Sequence, residues 1–327
     1  MSTKNRSHQR SFALLGLALL LVVAGCGQSG ATDQASPQDD LEGTITISGA
    51  WALYPMMVRW QEEFQKLHPN VRIDISAGGA GKGMADALAG AVDIGMVSRA
   101  IYPEEEQKGA FWVSVTKDAV FAAVSAQNPV LEDLLQQGMA RDDLSGVYMS
   151  GDITTWGQVV GRPEVTDPIH AYTRSDACGA AATWAEYLGG AQEDLLGVAV
   201  YGDPGLLDVV IKDPLGIGYN NLNYAFDMET GEPVAGSQVV PIDVNGNGKV
   251  DPEEAFRSKR EAVDAVAAGR YPSPPARDLN LVTKGKPTGL VQTFMQWILA
   301  EGQKYVDETG YIALPQQQID VELAKLE

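Results

Sequence analysis

"GTITISGAWALYPMMVRWQEEFQKLHPNVRIDISAGGAGKGMADALAGAVDIGMVSR", residues 43–99, decides the fold class. Its first run, Gly43–Gly49, alternates apolar and polar residues and stops at glycine, which predicts a strand and its turn. Leu53, Met56, Met57, Trp60, Phe64 and Leu67 then recur at helical spacing before Pro69, so residues 51–67 read as a helix. "VRIDIS" (71–76) returns to the strand period, "AGGAGKG" (77–83) is a glycine-rich turn opening a helix over 84–89, and "VDIGMVSR" (92–99) is a third strand. The order β-α-β-α-β predicts a parallel sheet with helices on its faces.

Working outward, "AVFAAVSA" within residues 111–125 is a buried strand and a candidate crossover to a second domain. Residues 144–156 pass from helix to strand or turn. "IHAYTR" (169–174) is a strand and 180–188 a helix, with short elements at 196–200 and 206–212. "LGIGYNNLNYAF" is a strand and turn, and 257–268 is helical. "DLNLVTKG" (278–285) is a strand that returns the chain to the first domain, followed by helices at 288–300 and 303–309.

With 327 residues and 45% hydrophobic content the chain can bury a sizeable core, and its length suggests two domains. A formal net charge of -19 without a basic stripe disfavours nucleic acid as a partner. At the N-terminus Lys4, Arg6 and Arg10 precede the short apolar run "FALLGLALLLVVA", the pattern of a secretory signal over residues 1–25. "VAGC" resembles a bacterial lipobox, which implies lipidation of Cys26, attachment to the cell membrane through that lipid and an extracytoplasmic location. Residues 26–42 are small, polar and acidic and read as a flexible tether. The remaining cysteine, Cys178, then has no disulfide partner.

Three strand-to-helix turns share one design: "SGAWA" (48–52), "GGAGKG" (78–83) and "SDACGA" (175–180). Unpaired backbone N–H groups and the helix dipole favour an anion at such a start. Arg99 and Arg174 stand beside two of these turns. Arg174 serves either as an anion contact or as a salt-bridge partner of Asp176, and Lys82 either faces the ligand or solvent. Trp51 is a core residue or a surface on which an organic ligand stacks. Tyr219 and Asn220 are further candidates to face a ligand. At a helix start the Cys178 thiol is expected to have a lowered pKa. It is a ligand contact, a soft ligand, a nucleophile, or a buried residue with no chemistry; a nucleophile needs a base, and neither His68 nor His170 is placed as one, so an enzyme is not expected.

"TITISGAWALYPMMVRWQEEFQKLHPNVRI", "GGAGKGMADALAGAVDIGMVSR", "LSGVYMSGDITTW", "YTRSDACGAAATWAEYL", "LGIGYNNLNYA" and "LVTKGKPTGLVQTFMQWILAEGQKYV" stand in an order that resembles phosphate-type ABC-transporter substrate-binding proteins. The resemblance implies an α/β, two-lobed periplasmic-binding-protein fold of type II with two crossover strands. The lobes would be 43–125 with 275–327, and 126–274. They would close on a small anionic solute and deliver it to an ABC permease, the protein acting as a monomer. Ligand positions carried over one by one are Ala50 and Trp51, Ala80, Gly81 and Lys82, Ser98 and Arg99, Arg174, and Cys178, Gly179 and Ala180. The family's hydroxyl residues are replaced at Ala50, Ala80, Cys178 and Ala180. Each hydroxyl bond lost to a charged group costs ~1.5–3 kcal/mol, so phosphate, another oxyanion and an organic anion stacked on Trp51 all stand as solutes. A surface sensor or adhesion module on the same fold is the alternative.

"DVNGNGKVDPEE", residues 243–254, fits the twelve-residue EF-hand loop. Asp243, Asn245 and Asn247 take positions one, three and five, Gly248 the sharp turn, Lys249 the carbonyl position, Asp251 position nine and Glu254 the bidentate position. A strand precedes it and a helix follows, which predicts a single inserted structural Ca2+ loop.

Overall fold

The structure, a computed structural model, describes residues 41–327. The signal segment, the lipidation candidate Cys26 and residues 27–40 of the tether lie outside the described residues. Eleven strands are present among the described residues: β1 (Gly43–Gly49), β2 (Val71–Ala77), β3 (Ile94–Val97), β4 (Ala110–Ser125), β5 (Met139–Ala140), β6 (His170–Arg174), β7 (Val198–Val200), β8 (Gly216–Asn221), β9 (Ser237–Val239), β10 (Ile242–Asp243) and β11 (Ala276–Lys284). Nine of them form one sheet path in the order β2-β1-β3-β11-β4-β8-β6-β7, with β9 on β4.

The first third folds as its sequence periods predict. β1 pairs parallel with β2 from Gly43↔Val71 to Gly49↔Ala77, and with β3 from Ile47↔Ile94 to Gly49↔Met96. Helices Tyr54–Leu67 and Ala80–Ala89 are the crossovers. Met56, Met57, Trp60 and Phe64 are the buried positions of the first, the stripe the 3.6 period demands.

β4 is sixteen residues long and does two jobs. Ala110 to Ala119 pair antiparallel with β11, and Val120 to Val124 with β8. Two hydrophobic cores follow from this. One gathers Ile45, Trp60, Met96, Val113, Leu281 and Phe294; the other gathers Phe121, Tyr148, Trp156, Trp184, Tyr219 and Phe226. The change of core falls between Val115 and Ala119 on β4 and between Ala276 and Leu279 on β11. These two strands join the two halves of the molecule.

Several elements differ from the sequence expectation, among them the helices Pro103–Gln107 and Leu131–Gln137, which no sequence reading placed. The second helix starts at Ala80, so the glycine-rich segment forms its first turn. The reason is close packing: a Cβ on Gly83 would lie 2.9 Å from the Cα of Gly49 and 3.0 Å from the Ser48 carbonyl oxygen. The helix that follows the EF-hand-like loop spans Lys259–Ala267, because the Ser258 hydroxyl caps it by accepting from Glu261 N–H. Helix Gln316–Leu326 was not anticipated; its buried positions are Ile319, Glu322 and Leu326, too sparse an apolar stripe to signal a helix.

Candidate functional site

The ends of β1, β2 and β6 each feed a helix start, and the structure brings all three turns to one seam between the halves. Ala50, Ala80, Ser98, Arg174, Cys178, Gly179 and Ala180 are all buried there. Gly81 N–H donates to the Ala177 carbonyl at 2.9 Å across the seam. A Cβ on Gly81 would reach within 2.7 Å of the Ala177 Cβ, and one on Gly179 would collide with Ser98. Backbone therefore meets backbone where larger residues would hold the halves apart.

Two of the expected cations do not add free charge. Arg99 makes a bidentate pair with Glu105, at 2.9 and 2.7 Å, and lies 4.2 Å over the Tyr102 ring. Lys82 is exposed and pairs with Asp86, its neighbour one turn along. Both charges are answered within the half that carries them.

Arg174 is different. Its side chain is fully buried. Nε and Nη2 donate to the two Asp176 oxygens at 2.8 and 2.7 Å, and Nη1 to Asp203 Oδ2 at 2.7 Å. Three of the five guanidinium N–H groups are thus used and two remain. Burial alone would depress Arg174, but the Asp203 and Asp176 carboxylates outweigh it and hold the guanidinium charged. Asp203 is itself anchored, its Oδ1 accepting from Asn221 N–H and Nδ2 at 3.2 and 2.7 Å.

The expected acidification of Cys178 is not found. Burial pushes its thiol up to about 12, more than Arg174 can pull it down. The neutral sulfur instead caps the helix Gly179–Leu188, accepting from Ala181 N–H at 3.4 Å. Cys178 N–H donates to Gln192 Oε1 at 3.1 Å, and Gln192 Nε2 to the Asp176 carbonyl at 2.7 Å. A protonated, buried thiol is a poor nucleophile. His68 stacks on Phe64 and His170 pairs with Asp213.

Trp51 enters the seam on another side. It stands edge-on to Tyr201 at 6.2 Å and against Gly202, with its carbonyl accepting from the Tyr224 hydroxyl at 3.4 Å. Its indole N–H is buried without a partner. Tyr219 does not face the seam: it stacks on Trp184 and its hydroxyl bonds Thr173. Asn220 is buried and donates to the Asp203 carbonyl. A cavity of about 470 Å³ touches Gly81, Arg99, Ala177 and Cys178, and a second of about 800 Å³ continues from Arg99, Ala100 and Glu186 along β4 and β11.

Sequence reasoning missed Asp203, Gln192, Asp118 and Arg277. For Asp118 a signal existed: a carboxylate inside the apolar run of β4. It is 1% exposed, and burial pushes it up to about 6 against the pull of Arg277.

The loop 243–254 has a definite backbone. Asp243 Oδ1 accepts from Gly246 and Asn247 N–H, and Oδ2 from Gly248 N–H. Asn245 and Asn247 oxygens accept from Asn247 and Lys249 N–H. Glu254 accepts from Val244 and Asp251 N–H, and Val250 N–H donates to the Gln136 carbonyl. Asp251 faces Lys249 and the amides of Asn245 and Asn247. Among the described residues no three His, Cys, Asp or Glu side chains gather around one metal position.

Comparison with known proteins agrees with this architecture. The chain is 26% identical over 313 residues to the phosphate-binding protein PstS of Bacillus subtilis (strain 168), covering 94% of each. It is 28% identical over 377 residues to PstS of Methanocaldococcus jannaschii, covering 96% of this chain and 94% of that one. A Clostridium perfringens protein solved with bound phosphate shares the fold at a TM-score of 0.67 and 23% identity, over 84% of this chain and 100% of that one. The family described as the PBP superfamily domain matches residues 32–301, and with most of its length inside that match the chain belongs to the PBP superfamily.

Proposed function

We propose that the protein is the extracytoplasmic solute-binding component of an ABC importer, capturing phosphate or a related small oxyanion between its halves without chemical conversion. One observation carries the reading: helix starts from both cores meet at a single buried seam beside Arg174. Gly179 and Ala180 open a helix, so their N–H groups lack intrahelical acceptors, and Arg174 keeps two donors. Backbone and guanidinium groups then replace the hydroxyls that Ala50, Ala80, Cys178 and Ala180 cannot supply. The lobes of this reading are 43–125 with 275–327, and 126–274. Cys26 anchors the monomer to the membrane, and an ABC permease receives the solute.

The test is calorimetric titration with phosphate, arsenate, sulfate and small organic anions, paired with melting curves. Phosphate is expected to bind and to raise the melting temperature. A chain that responds to none of these anions defeats the reading. A second reading, an organic anion beside Trp51, is favoured by the partnerless indole N–H and is separated by the same panel.

We also propose that residues 243–254 hold a structural Ca2+ through Asp243, Asn245, Asn247, the Lys249 carbonyl, Asp251 and Glu254. The oxygen-rich donor set and the preformed backbone fit such an ion, with Asp251 turning away from Lys249 to complete the shell.

A further inference from the structure

The polar chain that begins at Arg174 does not end at Asp203. Asp203 holds Asn221 at the end of β8, and Asn221 Oδ1 accepts from Arg277 Nη2. Arg277 lies on β11, directly across from Asp118 on β4. Its Nε donates to the Ser98 carbonyl at 3.1 Å, and its Nη1 stands 3.4 Å from Asp118 Oδ2. The side chain is 7% exposed. One guanidinium thus touches the β3 turn of one half, the β8 end of the other, and both strands that join them.

We propose that Arg277 is the closure latch of the protein, a positioning residue that ties the Ser98 turn to the Asn221–Asp203–Arg174 chain when the halves meet. The geometry requires this coupling. Ser98 and Asn221 belong to different halves, and any opening that separates them breaks one of the two Arg277 bonds. Arg277 reaches the solute seam only through Ser98 and Asn221, so its effect is on how long the seam stays shut. The inference rests on the solute-capture reading above, and its test has one arm that does not.

Arg277→Met is measured by stopped-flow with inorganic phosphate, and by spin-label distances between Glu104→Cys and Glu193→Cys, two exposed sites on opposite halves. Loss of a charge-assisted bond is expected to speed phosphate release about tenfold to hundredfold with association unchanged. The unliganded distance distribution is expected to broaden toward longer values. Arg277→Lys should restore part of both effects, and Asn221→Ala should reproduce them less strongly and without adding to Arg277→Met. A folded Arg277→Met protein with wild-type release and wild-type distances overturns the latch. If Arg277→Met does not fold, Asn221→Ala decides by the same readouts, and wild-type values overturn the proposal. If the unaltered protein binds no phosphate, the solute reading has failed, and the distances still decide the latch.

Discussion

The seam around Arg174 and the loop 243–254 are the two places where this chain gathers ligand-type groups, and they are built in opposite ways. The loop takes every group from twelve consecutive residues, leaving Asn245, Asn247 and Lys249 exposed while Asp243 and Glu254 are buried. The seam takes its groups from β1, β2, β3, β6, β8 and β11 and buries them. Charge behaves accordingly. In the loop, Lys249 and the two asparagines hold Asp251 below the usual carboxylate range. In the seam, burial drives Asp118 the other way, up to about 6. A local site is tuned by its neighbours in sequence, and an assembled site by what the fold removes from water.

The largest effect that separates the two regions should come from Arg174→Met. It strands Asp176 and Asp203 without their cation and is expected to destabilise the protein by about 3–5 kcal/mol in chemical denaturation, with loss of phosphate binding. Near-native stability would mean that the seam tolerates two carboxylates without their cation.

The pH dependence of Asp118 tests the same contrast. Its carboxyl titrates higher in the folded chain than in the unfolded one, so the folded state takes up the proton first as pH falls. The stability it contributes is complete below its unfolded value, about 4, and is lost as pH rises through about 6. Wild type minus Asp118→Asn, followed by urea midpoints, should decline by about 1–3 kcal/mol across that window and then level off. A flat difference would show Asp118 to be hydrated despite its place in β4.

For the loop, about 10 mM Ca2+ added to chelated protein should stabilise it by about 1.4–2.7 kcal/mol, given a dissociation constant of ~10⁻⁴–10⁻³ M for a lone site. Glu254→Gln should abolish the gain. Melting that is indifferent to Ca2+ would leave the loop as a hydrogen-bonded turn.

The smallest effect expected is that of Cys178→Ser. It restores a hydroxyl beside the two remaining Arg174 donors and should tighten phosphate binding about tenfold with little change in melting. Unchanged affinity would assign position 178 wholly to helix capping.

These differences also explain what could be read in advance. The β-α-β-α-β start and the return strand β11 were legible because each rests on short-range periodicity. The meeting of Ala50, Ala80, Ser98 and Arg174 was legible only through the family resemblance. The Arg174–Asp176 pair was one of two readings the sequence left open, and the structure has it; the fate of the other charges was not legible. Glu105 and Asp86 lie within a few residues of Arg99 and Lys82, yet nothing in the spacing distinguishes an ion pair from a ligand contact. Asp203 lies 29 residues from Arg174, and Asn221 meets Arg277 across 56. The lowered pKa expected for Cys178 does not hold, because a helix start acidifies a thiol only while water can reach it, whereas the reading as a buried serine substitute fits the structure.

One consequence follows from the length of β4. Because its sixteen residues border β11 with one end and β8 with the other, no cut in the chain yields two self-sufficient pieces. A fragment ending within β4 would leave a hydrophobic row of open N–H and C=O groups, an invitation to aggregate. The two cores are therefore bound into one folding unit.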